Sequence, residues 1–330
     1  MSIWFVPRDA AARSMGADAV AAALTDRGET VVRNGSRGML WMEPLIERAE
    51  TRDGERVGWS NMTAVHIEQA LPSEDSEHYV GPVEEIDYLA RQNRWIYERV
   101  GVTDPLDPED YLRHGGLAGL KNALAVSGDA VVDIITTSGL RGRGGAGFPA
   151  GIKWRTVAEQ SAQPHAGESR DATPHKYICV NADEGDSGTF ADRMLMEGDP
   201  FCLLEGMTIA AHAVGADRGL VYLRSEYPDA IATLQAAIHI ARERHWLGDD
   251  ILGSKVAFDV EIRVGAGSYV CGEETAMLES LEGRRGMVRA KPPLPAIKGL
   301  FGTPTVINNV LTIASVPSIL ARGAEAYAAL

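Results

Sequence analysis

The sequence has few cysteines and no long apolar run, and each absence excludes a class of protein. Its 330 residues contain three cysteines, Cys179, Cys202 and Cys271, which lie far apart. They form neither a disulfide framework nor a CxxC metal motif, so we expect a reducing, cytoplasmic location and no metal site in this chain. No stretch reaches the roughly 20 apolar residues that span a bilayer. The N-terminal residues lack the basic region and cleavage site of a secretory signal.

Positive charge is also scarce. Lys and Arg number 32 against 46 Asp and Glu, which gives a net charge of −14. Such a field repels nucleic acid and anionic lipid, so we expect neither a nucleic-acid partner nor direct membrane contact. An anionic cofactor would therefore need a local site made of cations or backbone amides.

The order of predicted elements is typical of an α/β protein with two domains. Residues 1–80 follow a strand–helix–strand–strand–helix order, which predicts a thioredoxin-like domain with one long helix over residues 10–28. Residues 81–116 read as a connector, helical over 82–101 and then broken by prolines and glycines. Strands alternate with helices over residues 117–330 and predict a Rossmann-like domain with a parallel sheet, ending in a helical region over 303–323.

The stretch GLRGRGGAGFPAGIKW, residues 139–154, concentrates glycine and positive charge. Gly142, Gly144 and Gly147 match the G-x-G-x-x-G dinucleotide fingerprint. The context excludes a standard Rossmann loop, because a helix is predicted before it and the ribose-binding acid would fall in a polar loop near Glu168. A P-loop is excluded because a Phe-Pro pair stands where Lys and Ser or Thr belong. The bare backbone can still bind a phosphate-bearing cofactor, with a flexible surface turn as the simpler alternative.

Three further stretches carry polar residues at predicted element ends. CVNADEGDSGTFADR, residues 179–193, suits the amide edge of a flavin or nicotinamide, or it caps the next helix. GAGSYVCGEETAMLESLEG, residues 265–283, has two glutamates that suit a ribose diol or a helix dipole. KPPLPAIKGLFGTPTVINNVLT, residues 291–312, has two asparagines that suit a phosphate or an N-cap.

In this order, the four stretches resemble the flavin-bearing, NADH-binding subunit shared by respiratory complex I, the diaphorase of bidirectional hydrogenases and soluble NAD-dependent formate dehydrogenase. The resemblance covers about residues 117–330. It implies FMN and NAD as cofactors, and hydride transfer between nicotinamide and flavin with no catalytic side chain. It also implies that iron–sulfur clusters carry the electrons onward one at a time.

The resemblance implies a set of cofactor-binding residues. The FMN site would comprise Gly142, Arg143, Gly144, Lys153, Asn181, Asp183, Glu184, Gly185, Tyr269, Gly272, Glu273, Asn308, Asn309 and Thr312. NAD(H) would lie beside Gly145, Ala146, Gly147 and Phe148, with Glu184 and Glu274 near its ribose. Thr156 and Leu294 replace aromatics of complex I members, which weakens the expected adenine stacking, and Leu311 replaces an acid.

Two features bear on the parent complex. The family's ubiquitin-like domain and [4Fe–4S] motif are expected outside this chain, which has no cluster ligands. The first domain has no cysteine, whereas hydrogenase-type versions often carry [2Fe–2S] cysteines there. Together with GDSGTFADRMLMEGDPF, this is most similar to the β subunit of soluble molybdenum-containing formate dehydrogenase. The implied partners are a small iron–sulfur γ subunit and a large molybdenum-containing α subunit.

Several alternatives stay open. The same module could serve a bidirectional hydrogenase or complex I. The chain could instead be a non-catalytic NAD-binding sensor, which would bind nucleotide without flavin. Residues 1–100 could be a former cluster domain kept as a docking surface for the cluster-bearing partner, or a plain stabilising extension.

Overall fold

The structure is a computed structural model that describes residues 2–167, 169 and 173–330. Glu168, the candidate ribose-binding acid of a Rossmann loop, lies outside the described residues. The chain divides into two compact units: Met1–His114 with Glu197–Asp199, and Gly115–Met196 with Pro200–Leu330. The division of the sequence at residues 80 and 116 remains a prediction about domains.

The first unit is a mixed sheet with helices. Its elements are β1 (Ile3–Phe5), α1 (Ala10–Ser14), α2 (Ala17–Asp26), β2 (Thr30–Val32), β3 (Ile46–Ala49), β4 (Val57–Trp59), α3 (Ala64–Gln69), β5 (Tyr79–Pro82), α4 (Asp87–Ala90) and α5 (Pro108–Arg113). The strand order is β2-β1-β3-β4-β5. Strands β1 and β2 are parallel, and the other neighbours are antiparallel. The structure differs from the predicted strand–helix–strand–strand–helix order, because three strands, β2, β3 and β4, lie between α2 and α3, and β5 follows α3. The likeness to thioredoxin stays a prediction.

Two helix predictions in the first unit are wrong. The single helix over residues 10–28 is two helices, because Gly16 takes φ +98° and separates α1 from α2. Only Asp87–Ala90 is α-helical within residues 82–101. There the buried side chain of Arg99 pairs with Asp199 at 2.8 Å, and this tertiary contact outweighs the local helical spacing.

The second unit contains the rest of the regular structure. Its elements are α6 (Ala118–Leu124), α7 (Gly128–Thr137), α8 (Ala150–Ala158), β6 (Tyr177–Ala182), α9 (Ala191–Gly198), α10 (Pro200–Val214), β7 (Arg218–Arg224), α11 (Pro228–Glu243), β8 (Asp259–Gly265), α12 (Glu274–Leu281), α13 (Pro295–Lys298), β9 (Thr305–Asn309), α14 (Val310–Ala314), α15 (Val316–Arg322) and α16 (Ala324–Ala328). The α/β class is confirmed, and the parallel pairing of β6 with β7 and β9, and of β7 with β8, confirms the parallel sheet.

The parallel sheet has the order β8-β7-β6-β9. The central strands β6 and β7 are buried along most of their length, as expected where helices cover both faces, whereas the edge strand β8 alternates apolar and charged residues. Helix α10 is buried along almost its whole length, and Met277 and Leu278 of α12 pack against Cys179 and Leu220 of the sheet. All three cysteines are buried, and among the described residues none forms a disulfide.

The final segment differs from its prediction. The sequence predicts a helical region over residues 303–323, but this region begins with strand β9, which pairs with β6 so that Asn309 stands opposite Asn181. Thr305, Val306 and Ile307 are β-branched and favour the strand, and the helices follow from Val310. Among the described residues, no helix is long and apolar enough to cross a membrane.

Candidate cofactor site

The topology of the parallel sheet indicates where along its edge a ligand site is expected. The chain runs from β6 outward to β7 and β8, and then returns to place β9 on the other side of β6. Open α/β sheets bind ligands at the carboxyl ends of the strands where the order reverses. Here that switch point lies between β6 and β9, and their last residues are Ala182 and Asn309.

The glycine-rich loop links α7 to α8 and is held in a defined shape. Its ends are joined by a hydrogen bond from Gly142 N to the carbonyl of Phe148 (2.9 Å). The Arg143 amide donates to Thr312 Oγ1 at 2.9 Å, which ties the loop to α14. A Cβ on Gly144 would lie 3.2 Å from the Cβ of Asn309. The helix before the loop agrees with the rejection of a standard Rossmann loop, and these contacts disfavour a flexible turn.

The loop over residues 183–190, between β6 and α9, supplies acidic groups. Asn181 orients this region by donating from Nδ2 to the Gly272 carbonyl at 2.8 Å. Burial raises the pKa of Asp183, and its Oδ2 is buried without a hydrogen-bond partner among the described residues. The Glu184 carboxylate instead faces α9, where it accepts from the amides of Asp192 (2.9 Å) and Arg193 (3.2 Å).

The segment from Tyr269 to Glu274 forms the opposite wall. Tyr269 is exposed, and its hydroxyl donates to Asp186 at 2.8 Å. Its ring lies so close to Gly185 that a Cβ there would approach it to 2.7 Å. Glu273 is the N-cap of α12 and accepts from the amides of Thr275 and Ala276.

Two lysines meet the paired glutamates. Lys291 donates to Glu274 at 2.6 Å and to Glu273 at 3.2 Å, and Lys153 lies 3.4 Å from Glu274. Burial alone would raise the pKa of Glu274, but Lys153 and Lys291 outweigh it and the net pKa is lowered. Lys153 also donates to the Ile307 carbonyl at 2.7 Å. The site therefore contains two cations inside an acidic protein.

The end of β9 contributes the two predicted asparagines in different ways. Asn308 is buried and accepts from the indole of Trp154 at 2.9 Å. Asn309 caps α14 through its Oδ1 and donates from Nδ2 to Asp192 at 2.6 Å. Thr312 is fully buried behind the glycine-rich loop. Asn308 and Thr312 thus support the site from within the fold.

These segments enclose two neighbouring cavities. The smaller, about 300 Å³, lies between the glycine-rich loop and the lysines. The larger, about 810 Å³, lies along residues 183–192. Both lie within the usual range of small-molecule sites. They share Gly144, Asn181, Gly272, Glu273 and Asn309, so they are adjoining compartments of one cleft.

Most predicted site residues line this cleft. Those on the smaller cavity are Gly142, Gly144, Ala146, Gly147, Phe148, Lys153, Asn181, Gly272, Glu273, Glu274, Asn308 and Asn309. Those added by the larger are Arg143, Gly145, Asp183, Glu184, Gly185 and Tyr269. Thr312 lines neither cavity. Thr156 is half-buried and Leu294 is exposed, and both likewise line neither cavity.

The residues present fit a flavin nucleotide. Asp183 lines the larger cavity and its Oδ2 has no hydrogen-bond partner among the described residues, so its carboxylate is suited to accept a hydrogen bond from a ring imide or a hydroxyl. Gly145 and Gly147 have φ values of +104° and +61°, and no atom lies within 4 Å of a Cβ built on either. Bare backbone and cations on one side, with hydrogen-bonding groups on the other, suit a ligand with a phosphate and a polar ring.

Sequence reasoning missed three charged residues among those that line the cleft. Lys291 lines the smaller cavity, and Asp186 and Asp192 line the larger. Burial, with the nearby charge of Glu184 adding to it, raises the pKa of Asp192 to about 7. A lysine at the start of the fourth stretch, facing two adjacent glutamates, was a usable signal for Lys291. Nothing local marks Asp192, whose setting depends on β9.

The fold and the cleft define an α/β domain with a site suited to a nucleotide-type cofactor at the switch point of its sheet. The chain belongs to the family described as the Nuo51 FMN-binding domain, whose model matches residues 135–318. This confirms the predicted family and its FMN cofactor.

Named relatives agree with that assignment. The chain is 50% identical over 229 residues to an NADH-quinone oxidoreductase subunit of Rhizobium meliloti (strain 1021), covering 69% of this chain and 52% of the relative. It is 45% identical over 240 residues to the HndC subunit of the NADP-reducing hydrogenase of Solidesulfovibrio fructosivorans, covering 73% and 46%. The chain thus spans about half the length of the curated relatives it matches. Both names include a nicotinamide nucleotide, in agreement with the predicted second cofactor.

A solved structure is similar over nearly the whole chain. It is a crystal structure of an NAD+-reducing [NiFe]-hydrogenase in the H2-reduced state, with a TM-score of 0.56 and 31% identity. The similarity covers 98% of this chain and 53% of the hydrogenase chain. These three relatives are oxidoreductases of the NADH-quinone and hydrogenase types, and none of the three is a formate dehydrogenase.

Proposed function

We propose that this chain is the flavin module of a larger NAD(H)-linked oxidoreductase, in which it transfers hydride between NAD(H) and FMN. The observation that carries the proposal is the meeting of all four sequence stretches at one cleft on the sheet's switch point. FMN, when bound, supplies the chemistry, since a flavin takes up a hydride and can pass its electrons onward singly.

The protein's own residues would bind and orient the two nucleotides. The backbone between Gly142 and Gly147, with Lys153, presents amides and positive charge to a phosphate-bearing ligand. Asn181 and Asp183 offer a donor and an acceptor to a polar ring. The walls of the cleft would limit water around the reacting rings, and no side chain has to move a proton during hydride transfer itself.

The two glutamates proposed for the NAD(H) ribose differ in their availability. Glu184 already accepts three hydrogen bonds, so we propose that it shapes the larger cavity. Glu274 lies beside Lys291 and lines the smaller cavity, where it is suited to a ribose diol. A carboxylate in that position disfavours a 2′-phosphate, which predicts a preference for NAD over NADP.

Flavin content and reduction by NADH test the proposal. The purified chain, incubated with FMN and desalted, should retain about one FMN per chain. Anaerobic NADH should bleach the flavin absorbance, and ferricyanide should restore it. A chain that excludes FMN and does not bind NADH would refute the proposal. A flavin-free chain that binds NADH would support the sensor alternative.

The specificity proposal has its own variant and control. Glu274→Gln should narrow the preference for NADH over NADPH by about tenfold, since removing one close charge changes binding by about 1.4 kcal/mol. Glu279→Gln is the matched control, because Glu279 lies on the same helix, pairs with Arg289 and lines neither cavity. Equal preferences in the Glu274 variant and the wild type would refute the role.

We propose soluble NAD-dependent formate dehydrogenase as the parent complex. Support comes from the GDSGTFADRMLMEGDPF stretch and from the absence of cysteine before Cys179. The partners would be an iron–sulfur γ subunit and a molybdenum-containing α subunit, in the cytoplasm. Purification of the native complex tests this. Molybdenum with formate-dependent NAD+ reduction supports it, while nickel with hydrogen-dependent reduction, or quinone-dependent NADH oxidation, refutes it.

A further inference from the structure

The acidic loop over residues 183–190 is held from behind by the connection between β7 and α11. Arg224 is the last residue of β7, and Tyr227 is the residue immediately before α11. Neither lines the two cavities of the cleft. Both contact the loop that carries Asp183, Glu184 and Gly185 into the larger cavity.

Tyr227 holds the loop at two points. Its hydroxyl lies 3.1 Å from the Glu184 carboxylate and 3.2 Å from the Thr189 carbonyl, so one phenolic proton serves both acceptors. Tyr227 is 8% exposed. Burial and the charge of Glu184 raise the pKa of Tyr227 to about 12, so the hydroxyl remains a donor throughout the neutral range.

Arg224 holds the same loop at its backbone. Its Nη1 donates to the carbonyl of Glu184. Its Nη2 donates to Glu226 at 3.2 Å, and its guanidinium carbon lies 4.9 Å from the centre of the Tyr227 ring. The Arg224 guanidinium and the Tyr227 ring therefore stabilise each other's position. Together they hold Glu184, because Tyr227 bonds to its carboxylate and Arg224 bonds to its carbonyl.

The opposite side of the loop faces the cleft under tight constraint. Gly185 lies against the Tyr269 ring, and Asp186 accepts from the hydroxyl of Tyr269. Asp183, adjacent to the clamped residue, lines the larger cavity, and its Oδ2 is buried without a hydrogen-bond partner among the described residues. A shift of the Glu184 backbone would therefore move groups that the ligand meets, because Asp183 and Gly185 are its chain neighbours.

We propose that Arg224 and Tyr227 form a clamp, acting as positioning residues that fix the geometry of residues 183–185 for the flavin and the nicotinamide nucleotide. This inference rests on the proposed function. The two residues touch no ligand and act through the loop. Substitutions that remove the clamp's hydrogen bonds should weaken ligand binding and change the surroundings of the bound flavin, with a smaller effect on the stability of the fold.

Tyr227→Phe and Arg224→Gln test the clamp, and Tyr222→Phe is the matched control. Tyr222 lies on the same strand as Arg224 and is also buried, but its hydroxyl is bonded to Ser280 and, among the described residues, forms no hydrogen bond with the loop. Losing a hydrogen bond to a charged group should weaken FMN binding and raise the KM for NADH by about tenfold in Tyr227→Phe. The kcat should change less than the KM. In the control, Tyr222→Phe, the FMN affinity and the KM for NADH should each stay within about twofold of the wild-type values.

Two readouts separate a positioning role from a structural one. The visible circular dichroism of bound FMN should change in both clamp variants and be unchanged in Tyr222→Phe. Arg224→Lys keeps one donor for the Glu184 carbonyl and should recover part of the loss in Arg224→Gln. Hydrogen exchange of the FMN-free chain should quicken at residues 184–193 and stay the same in β6 and β7.

Each outcome is decisive. Clamp variants that match the wild type in FMN affinity, KM, dichroism and loop exchange would overturn the clamp. Equal effects in Tyr222→Phe would overturn it too, because the loss would then be general. A wild-type chain that takes up neither nucleotide would refute the proposed function instead. In that case, unchanged loop exchange in the variants would still refute the clamp separately.

Discussion

Asp192 gives the site a measurable dependence of stability on pH. Its side chain is 4% exposed, accepts from Asn309 at 2.6 Å and lies near the charge of Glu184. Burial and that charge raise its pKa from 3.8 to about 7. At a pH between these two pKa values, Asp192 is protonated in the folded chain and ionised in the unfolded chain. The contribution to stability is therefore complete below pH 4 and is lost as the pH rises towards 7.

The structure sets the size of the effect. One pKa unit corresponds to 1.36 kcal/mol, so the interval from 3.8 to about 7 represents roughly 4 kcal/mol across the titration. Asp192→Asn removes the ionisable group while keeping an oxygen that accepts from Asn309. We expect the variant to match the wild type at pH 4 and below, and to exceed it by roughly 2 kcal/mol at pH 5 and by roughly 4 kcal/mol at pH 8.

Urea unfolding of the FMN-free chain between pH 5 and pH 8 measures this difference. The transition of the second unit is assigned by hydrogen exchange of peptides from β6 and β7. Asp186→Asn is the control, because Asp186 lines the same cavity but is exposed and bonded to Tyr269. Parallel pH profiles for the wild type and Asp192→Asn would refute the reasoning, as would an equal gain from Asp186→Asn.

Three further substitutions test the glycine-rich loop and the packing behind it. Gly144→Ala should weaken FMN binding about tenfold in a fluorescence titration, because its Cβ would crowd Asn309 at 3.2 Å; unchanged affinity would contradict contact between the loop and the cofactor. Trp154→Phe should lower the free energy of unfolding by about 1–3 kcal/mol, since it leaves the buried Asn308 oxygen unpaired, and equal urea midpoints would contradict this. Gly119→Ala should lower the free energy of unfolding by at least about 1–3 kcal/mol, because a Cβ there would lie 2.3 Å from the Pro317 carbonyl oxygen. A thermal midpoint equal to that of the wild type would rule out the close packing of α6 on α15.

The parts of the site that could be predicted from the sequence are those with a local signature. Closely spaced glycines, adjacent glutamates and adjacent asparagines each predict a role at a loop or at a helix start. Asn309 is an N-cap, one of the two roles expected for the asparagines, whereas Glu273 was expected at a ribose diol or on the helix dipole and is the N-cap of α12. The strand at Thr305–Asn309 escapes prediction because five residues abutting a helix give little periodicity. Its pairing with β6 is a long-range contact, and it determines where Asn309 lies.

Other features depend on tertiary contacts from the start. Asp192 acquires its raised pKa only when β9 brings Asn309 to it and Glu184 turns towards α9. Tyr227 reads in sequence as an ordinary residue before a helix. Its two bonds to the acidic loop connect segments 38 and 43 residues apart. The burial of Asp192 and Tyr227 and the identity of their hydrogen-bond partners are set by the folded sheet, so the local sequence does not predict them.

The pairing of β9 with β6 has a consequence for when the cleft forms during synthesis and folding of the chain. The Arg143 amide and its Thr312 partner are 169 residues apart, and Asn309 reaches its place only when β9 docks beside β6. Contacts of such sequence separation form late in folding, since loop closure must precede them. During synthesis, the cleft therefore cannot exist until the end of this segment has left the ribosome. Flavin uptake would then report on completed folding, and a chain cut before Thr305 should have no affinity for FMN.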